Sequence, residues 1–93
     1  MALTFEWDPD KAKANLAKHG VGFLEAATVL GDPLSLTIPD PNHSEGEQRF
    51  VSVGMSDRAR LRVVAHTEWG ERIRIISARR ATRREQRAYE QEA

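Results

Sequence analysis

The run Ile73 to Thr82, IRIISARRAT, constrains this chain most, because it passes from an alternating apolar strand directly into the start of a charged helix. Side chains alternate across a pleat, so Ile73 and Ile75 face one side while Arg74 and Ile76 face the other. The β-branched residues favour a strand. Thr82 and Glu85, three residues apart, form a capping box: the threonine oxygen accepts a first-turn N–H and the glutamate reaches back to the cap's own N–H. A strand leading straight into a helix is therefore predicted. Around this junction stand Arg72, Arg74, Arg79, Arg80, Arg83, Arg84 and Arg87. A guanidinium is a planar fork that binds phosphate oxygens bidentately, so this density points to an anionic ligand.

Upstream, Leu3 to Trp7 alternates and reads as a terminal or edge strand. Asp8 is a good N-cap, Pro9 suits the first helical position, and Gly20 supplies a left-handed C-terminal residue. The helix between them carries Ala12, Asn15, Leu16 and His19 on one face. Phe23, Ala26, Ala27 and Leu30 recur at helical spacing in a second helix, which Gly31-Asp32-Pro33 ends. Leu34, Leu36 and Ile38 alternate with Ser35 and Thr37 as a half-buried strand, and residues 39–46 have the composition of an exposed loop. Gln48 to Val53 and Arg60 to Thr67 are two further strands. The tight connection Glu68-Trp69-Gly70-Glu71 makes the strand from Arg72 antiparallel to its predecessor. The order strand, two helices, four strands, helix predicts one α+β domain over residues 1–93. Its sheet would be small and antiparallel, of about four to five strands, with two N-terminal helices and one C-terminal helix.

A chain of 93 residues has room for one modest core. It contains no cysteine, which removes disulfide and thiolate chemistry and suits a reducing cytoplasm. Neither a secretory signal nor the roughly 20 apolar residues of a spanning helix is present, so a cytoplasmic location is expected. Net charge is zero, yet residues 1–47 hold three basic and eight acidic side chains, a balance of −5. Residues 48–93 hold eleven arginines and six acids, a balance of +5. Two readings follow: chance segregation on a solvated surface, or a localised anion-binding face.

A phosphate ligand raises phosphodiester chemistry. Cleaving RNA without a metal requires a group to take the 2′-hydroxyl proton, a group to protonate the leaving oxygen, and cations for the charge growing on phosphorus. His19, Glu47 and His66 are candidates for proton transfer, with Lys18 and Tyr89 behind them, and Arg49, Arg74 and Arg79 for charge stabilisation. Each has a plainer role beside it. His19 next to Gly20 complements a helix C-terminus, and His66 beside Arg62 on a strand face is an ordinary half-exposed residue. Glu47 pairs with Arg49 or another strand's arginine at the surface. Tyr89 packs with its hydroxyl in water, while Trp7 and Trp69 are either base-stacking rings or rim packing. Asp40, His43, Glu45 and Glu47 cluster in a loop but lack any metal-ligand spacing such as HExxH. There is no phosphate-binding glycine loop and no GxSxG. No cofactor is expected.

The stretches FEWDPDKAKANLAKHGVGFLEAATVLGDP and EGEQRFVSVGMSDRARLRVVAHTEWGERIRIISARRATRREQRAYE resemble the BrnT family of type II toxins, ribonucleases related in fold to the RelE toxins. The most specific pieces are the FEWD opening, the KHGV helix end, the strand start Glu47-Gln48-Arg49-Phe50, and RIISAR with the later Glu and Tyr. The resemblance implies a RelE-like fold and an endoribonuclease that inhibits translation and needs no metal. It also implies a BrnA-like antitoxin with a ribbon-helix-helix DNA-binding part, in a toxin–antitoxin heterotetramer. The family's residues carry over as Trp7, Lys18, His19, Glu47, Arg49, Arg74, Arg79 and Tyr89. Taken with the arginine cluster, the expected catalytic set is Lys18, His19, Glu47, Arg49, Arg79 and Tyr89. Trp7, Arg72, Arg74, Arg80 and Arg83 are the expected RNA contacts. The alternative reading is a non-catalytic nucleic-acid or protein-interaction module that uses the same arginines.

Overall fold

The computed structural model describes residues 3–40 and 48–92. Among these residues, five strands form one sheet: β1 (Thr4–Glu6), β2 (Leu36–Pro39), β3 (Arg49–Met55), β4 (Leu61–Trp69) and β5 (Arg72–Arg80), in the spatial order β1-β5-β4-β3-β2. Three helices accompany them: α1 (Pro9–His19), α2 (Phe23–Val29) and α3 (Arg83–Glu92). The α+β reading holds, with one addition. β2 through β5 pair antiparallel in sequence order, whereas β1 joins the far side of β5 parallel to it, so the sheet is mixed.

Local signals act where the sequence placed them. Asp8 Oδ1 accepts from the Asp10 N–H at 2.8 Å, Pro9 opens α1, and Gly20 closes it at φ 72°. Thr82 and Glu85 make the capping box in both directions, at 3.2 and 2.8 Å. Trp69 pairs with Arg72 across the two-residue loop Gly70-Glu71, where Gly70 has φ 60°, a conformation that costs glycine little.

The core lies between α2 and one face of the sheet, built from Val21, Phe23, Ala26, Val29, Val64, Ile75 and Ala78. Ile75 and Ala78 are three residues apart, which strict alternation forbids. A bulge resolves this: Ala65 pairs with Ser77 and His66 with Ile75, leaving Ile76 as the extra residue. The same bulge returns Arg79 to the face of Arg74, although the two differ in parity.

Expectations of burial and of strand extent change at several positions. Leu16, expected on the packed side of α1, is 54% exposed, and Asn15 is the residue buried there. The reason is polar. Beyond β1 the outer edge of β5 has open backbone groups, and Asn15 pairs with them like a strand: its Nδ2 donates to the Ala78 carbonyl at 2.9 Å and its Oδ1 accepts the Ala78 N–H at 3.1 Å. Nδ2 also donates to the Val21 carbonyl at 2.9 Å. β3 continues past the expected end at Val53 because Gly54 lies under α2, where a Cβ would come within 3.1 Å of the Val29 side chain. Leu34 and Ile38, expected to be half-buried, are 50% and 62% exposed near and on the edge strand β2.

Candidate nucleic-acid interface

Strand register assembles the site. Arg49, Thr67, Arg74 and Glu6 are successive partners across β3, β4, β5 and β1. Direct cross-strand partners project from the same face. Their chain neighbours Phe5, Ile73 and Ile75 belong to the helix-covered side, so this row rises from the opposite face. A second row two residues along, Trp69, Arg72 and Thr4, shares that face. Arg72 and Arg74 are exposed, as is Trp69 at 65%. Glu6, Thr67, Trp69, Arg72 and Arg74 line a pocket, and an adjoining hollow is lined by Glu6, Trp7, Asp8, Lys11 and Arg74 among others. Arg72 Nη2 donates to Glu6 Oε2 at 2.9 Å, and Arg49 Nε lies 3.9 Å from Asp40 Oδ2. Among the described residues here, Arg49, Arg72, Arg74 and Lys11 outnumber Glu6, Asp8 and Asp40, and phosphate oxygens complement the guanidinium groups.

The other expected residues lie elsewhere. Arg79 pairs with Val63, four residues along β4 from Thr67 and thus about 13 Å from the arginine row. Its guanidinium donates to both Glu85 carboxylate oxygens, at 2.8 and 2.9 Å. The fork holds the Glu85 carboxyl down at about 2, with the Thr82 backbone N–H helping. Tyr89 is buried, and its hydroxyl donates to Asp32 Oδ2 at 2.6 Å, which pushes the phenol pKa up. Burial alone would raise the Asp32 carboxyl, but hydrogen bonds from Tyr89 and the Met55 and Leu34 N–H groups bring it below the ordinary value. Arg79 and Tyr89 thus tie the two ends of α3 to the body of the protein.

Lys18 and His19 occupy the last turn of α1. That helix begins beside Arg74, through Lys11, and reaches Ala78 at Asn15. Its final turn is carried still farther from the arginine row. Trp7 meets Phe23 edge-on, with ring centroids 6.0 Å apart and planes at 84°, so its ring packs against the core while its rim reaches the hollow. Arg80 and Arg83 are exposed at the β5–α3 junction. Glu47 lies outside the described residues, as do His43 and Glu45, while Asp40 follows β2.

His66 departs from the half-exposed reading: it is 2% exposed on the helix-covered face. Its Nε2 and Ser52 Oγ are 2.8 Å apart, and Ser52 Oγ is 2.7 Å from Thr37 Oγ1. Phe50 stacks on the ring at 5.9 Å. Burial pushes its pKa down to about 4, so the ring is neutral near pH 7. Glu6, Lys11 and Thr67 escaped the sequence reading. The parity of Glu6 opposite Phe5 was the available signal for the first, and the others depended on strand register and helix direction.

A family model described as the ribonuclease toxin BrnT of type II toxin–antitoxin systems matches residues 7–85. The chain belongs to the BrnT family. The BrnT fold is also seen directly: the 1.1 Å crystal structure of the Brucella abortus ribonuclease toxin BrnT superposes with a TM-score of 0.67. That similarity covers 88% of this chain and 100% of the Brucella chain at 22% identity, a likeness of fold. No curated protein matches the sequence. Membership in the BrnT family makes RNA the target class and an antitoxin the partner class. No helix among the described residues is long and apolar enough to cross a membrane.

Proposed function

We propose that this BrnT-family chain is a metal-independent endoribonuclease that inhibits translation, with the arginine row as its phosphate-binding surface. The row Arg49, Thr67, Arg74, with Arg72 alongside, carries the proposal, because it gathers arginines on the sheet face opposite the core, with Arg72 and Arg74 exposed. In the reaction, the 2′-hydroxyl loses its proton and its oxygen attacks phosphorus. The bond to the 5′ oxygen breaks, leaving a 2′,3′-cyclic phosphate, and the departing 5′ oxygen takes up a proton to become a hydroxyl. Arg49 and Arg74 stabilise the charge that builds on the phosphoryl oxygens, an effect that grows where water is displaced. Glu47, two residues before Arg49 in sequence, takes the 2′ proton. Arg79 and Tyr89 act as positioning residues through α3. Lys18 and His19 complement the negative C-terminal end of α1.

The same reading includes a BrnA-like antitoxin with a ribbon-helix-helix DNA-binding part, a heterotetrameric complex, and action in the cytoplasm. Incubating purified protein with total RNA in excess chelator tests the chemistry. Fragments ending in 2′,3′-cyclic phosphate are expected. RNA retained in a salt-sensitive manner without fragments would instead mark a binding module. Fragments that appear only when a divalent metal is restored would overturn metal independence.

A further inference from the structure

Trp69 is the most exposed aromatic side chain on the arginine-bearing face and has no role in the core. It sits at the tip of the β4–β5 hairpin, 65% exposed, and lines the same pocket as Glu6, Thr67, Arg72 and Arg74. An isolated exposed tryptophan needs no explanation by itself. This one stands beside two arginines and one carboxylate in a hollow of about 220 Å³, below the roughly 300–1,000 Å³ of pockets that enclose drug-sized ligands. A site of that size takes a single planar base, with the sugar and phosphate outside.

We propose that this pocket is a nucleobase subsite for single-stranded RNA, with Trp69 as the stacking platform and Glu6 as the group that selects guanine. The inference rests on the ribonuclease reading and adds to it a recognised base. Every base has a π-face, so the indole supplies affinity without choice. Choice comes from Glu6. A carboxylate only accepts hydrogen bonds, and Oε2 already takes one from Arg72 at 2.9 Å, which orients the group. Guanine is the one standard base that presents two adjacent N–H donors, N1–H and N2–H₂, to such an acceptor. Adenine, cytosine and uracil each place a donor beside an acceptor, and the acceptor would face the carboxylate. Thr67 and Arg74 belong to the same lining, and the exposed Arg74 side chain supplies a donor for the guanine O6. Arg72, partnered with Trp69 across the hairpin, remains within reach of the neighbouring phosphate.

The test uses five-nucleotide 2′-O-methyl RNAs with identical flanks and a central G, A, C or U, which bind without being cut. Binding is read by tryptophan fluorescence, with Trp69→Phe used to remove the contribution of Trp69 from that of Trp7. The G-centred oligonucleotide should quench Trp69 and bind at least about tenfold tighter than the other three. Trp69→Ala should weaken binding of all four, within the roughly 5- to 150-fold range of a lost base–aromatic stack. Trp69→Phe should recover most of it by anisotropy. Glu6→Gln should abolish the preference for G and leave the other three within about twofold. Equal affinity of all four for the parent protein, or unchanged binding by the folded Trp69→Ala variant, would overturn the subsite. Because these RNAs cannot be cleaved, such a result leaves cleavage of total RNA as a separate test of the ribonuclease reading. Conversely, G-selective quenching without any RNA fragments would leave the subsite standing and remove the catalytic reading.

Discussion

The two faces of this sheet are made by alternate residues of the same strands, yet they treat polar groups in opposite ways. On the helix-covered face, Thr37, Ser52 and His66 are linked in one chain, and the imidazole is kept neutral. On the other, Arg72 and Arg74 stand exposed with Trp69, and Arg49 lies in their row. Burial penalises an uncompensated charge, so the imidazole there is neutral near pH 7. A face that keeps its cations at the surface retains their capacity to bind an outside anion. On the proposed function, the difference separates residues that build the fold from residues that would meet RNA.

Removing the arginines should give the largest effect. Loss of one charge-stabilising donor costs about 10²- to 10³-fold in rate, so Arg49→Ala and Arg74→Ala should each lower cleavage by that order while circular dichroism and melting temperature hold. Asn15→Ala reaches the opposite side of the comparison. It leaves the Ala78 N–H and carbonyl unpaired in a buried setting, at a cost of about 3 kcal/mol. In a domain this small that lowers the melting temperature by more than about 10 °C, measurable by calorimetry.

His66 sharpens the contrast through pH. Its folded pKa, about 4, lies below the ordinary 6.5, so protons bind the unfolded chain first. Its contribution is fully present above pH 6.5 and is lost as pH falls toward 4, by at most about 3 kcal/mol. Denaturant titrations of parent and His66→Gln should show that slope in the parent alone. The smallest effect belongs to the Arg79–Glu85 pair. The Glu85 pKa is held at about 2 against 4.5, so its contribution is present above pH 4.5 and fades as pH falls toward 2. Solvent screening of this half-exposed pair keeps its worth below about 1 kcal/mol. Glu85→Gln should flatten the acid limb of the stability curve by that amount and loosen the first turn of α3 in hydrogen exchange.

Much of the architecture was legible because it rests on local chemistry. Asp8 and Pro9, Gly20, Gly70, and the Thr82–Glu85 box each fix a backbone conformation by their own side chains or lack of one. The parallel addition of β1 was not, since pairing across 68 residues, Thr4 with Arg72, leaves no local mark. Nor was the bulge at Ile76. Strict alternation would put Arg74 and Arg79 on opposite faces, and a single extra residue puts them on one. For the site, composition pointed to the arginines, and family resemblance named Arg49 and Arg74 singly. Only register joined them in a row with Thr67 and Glu6. Arg79 and Tyr89 were named by their functional groups and by family resemblance, and only the structure shows their hydrogen bonds to Glu85 and Asp32.

Backbone amide chemical shifts, followed while a 2′-O-methyl RNA is titrated into the isotope-labelled protein, would test the division between the faces most directly. The largest changes should fall on Glu6, Arg49, Thr67, Trp69, Arg72 and Arg74, with Ser52, Val64 and His66 nearly still. Changes centred instead on Lys18 and His19 at the end of α1, with the arginine row unmoved, would place the RNA elsewhere and contradict the assignment of this face.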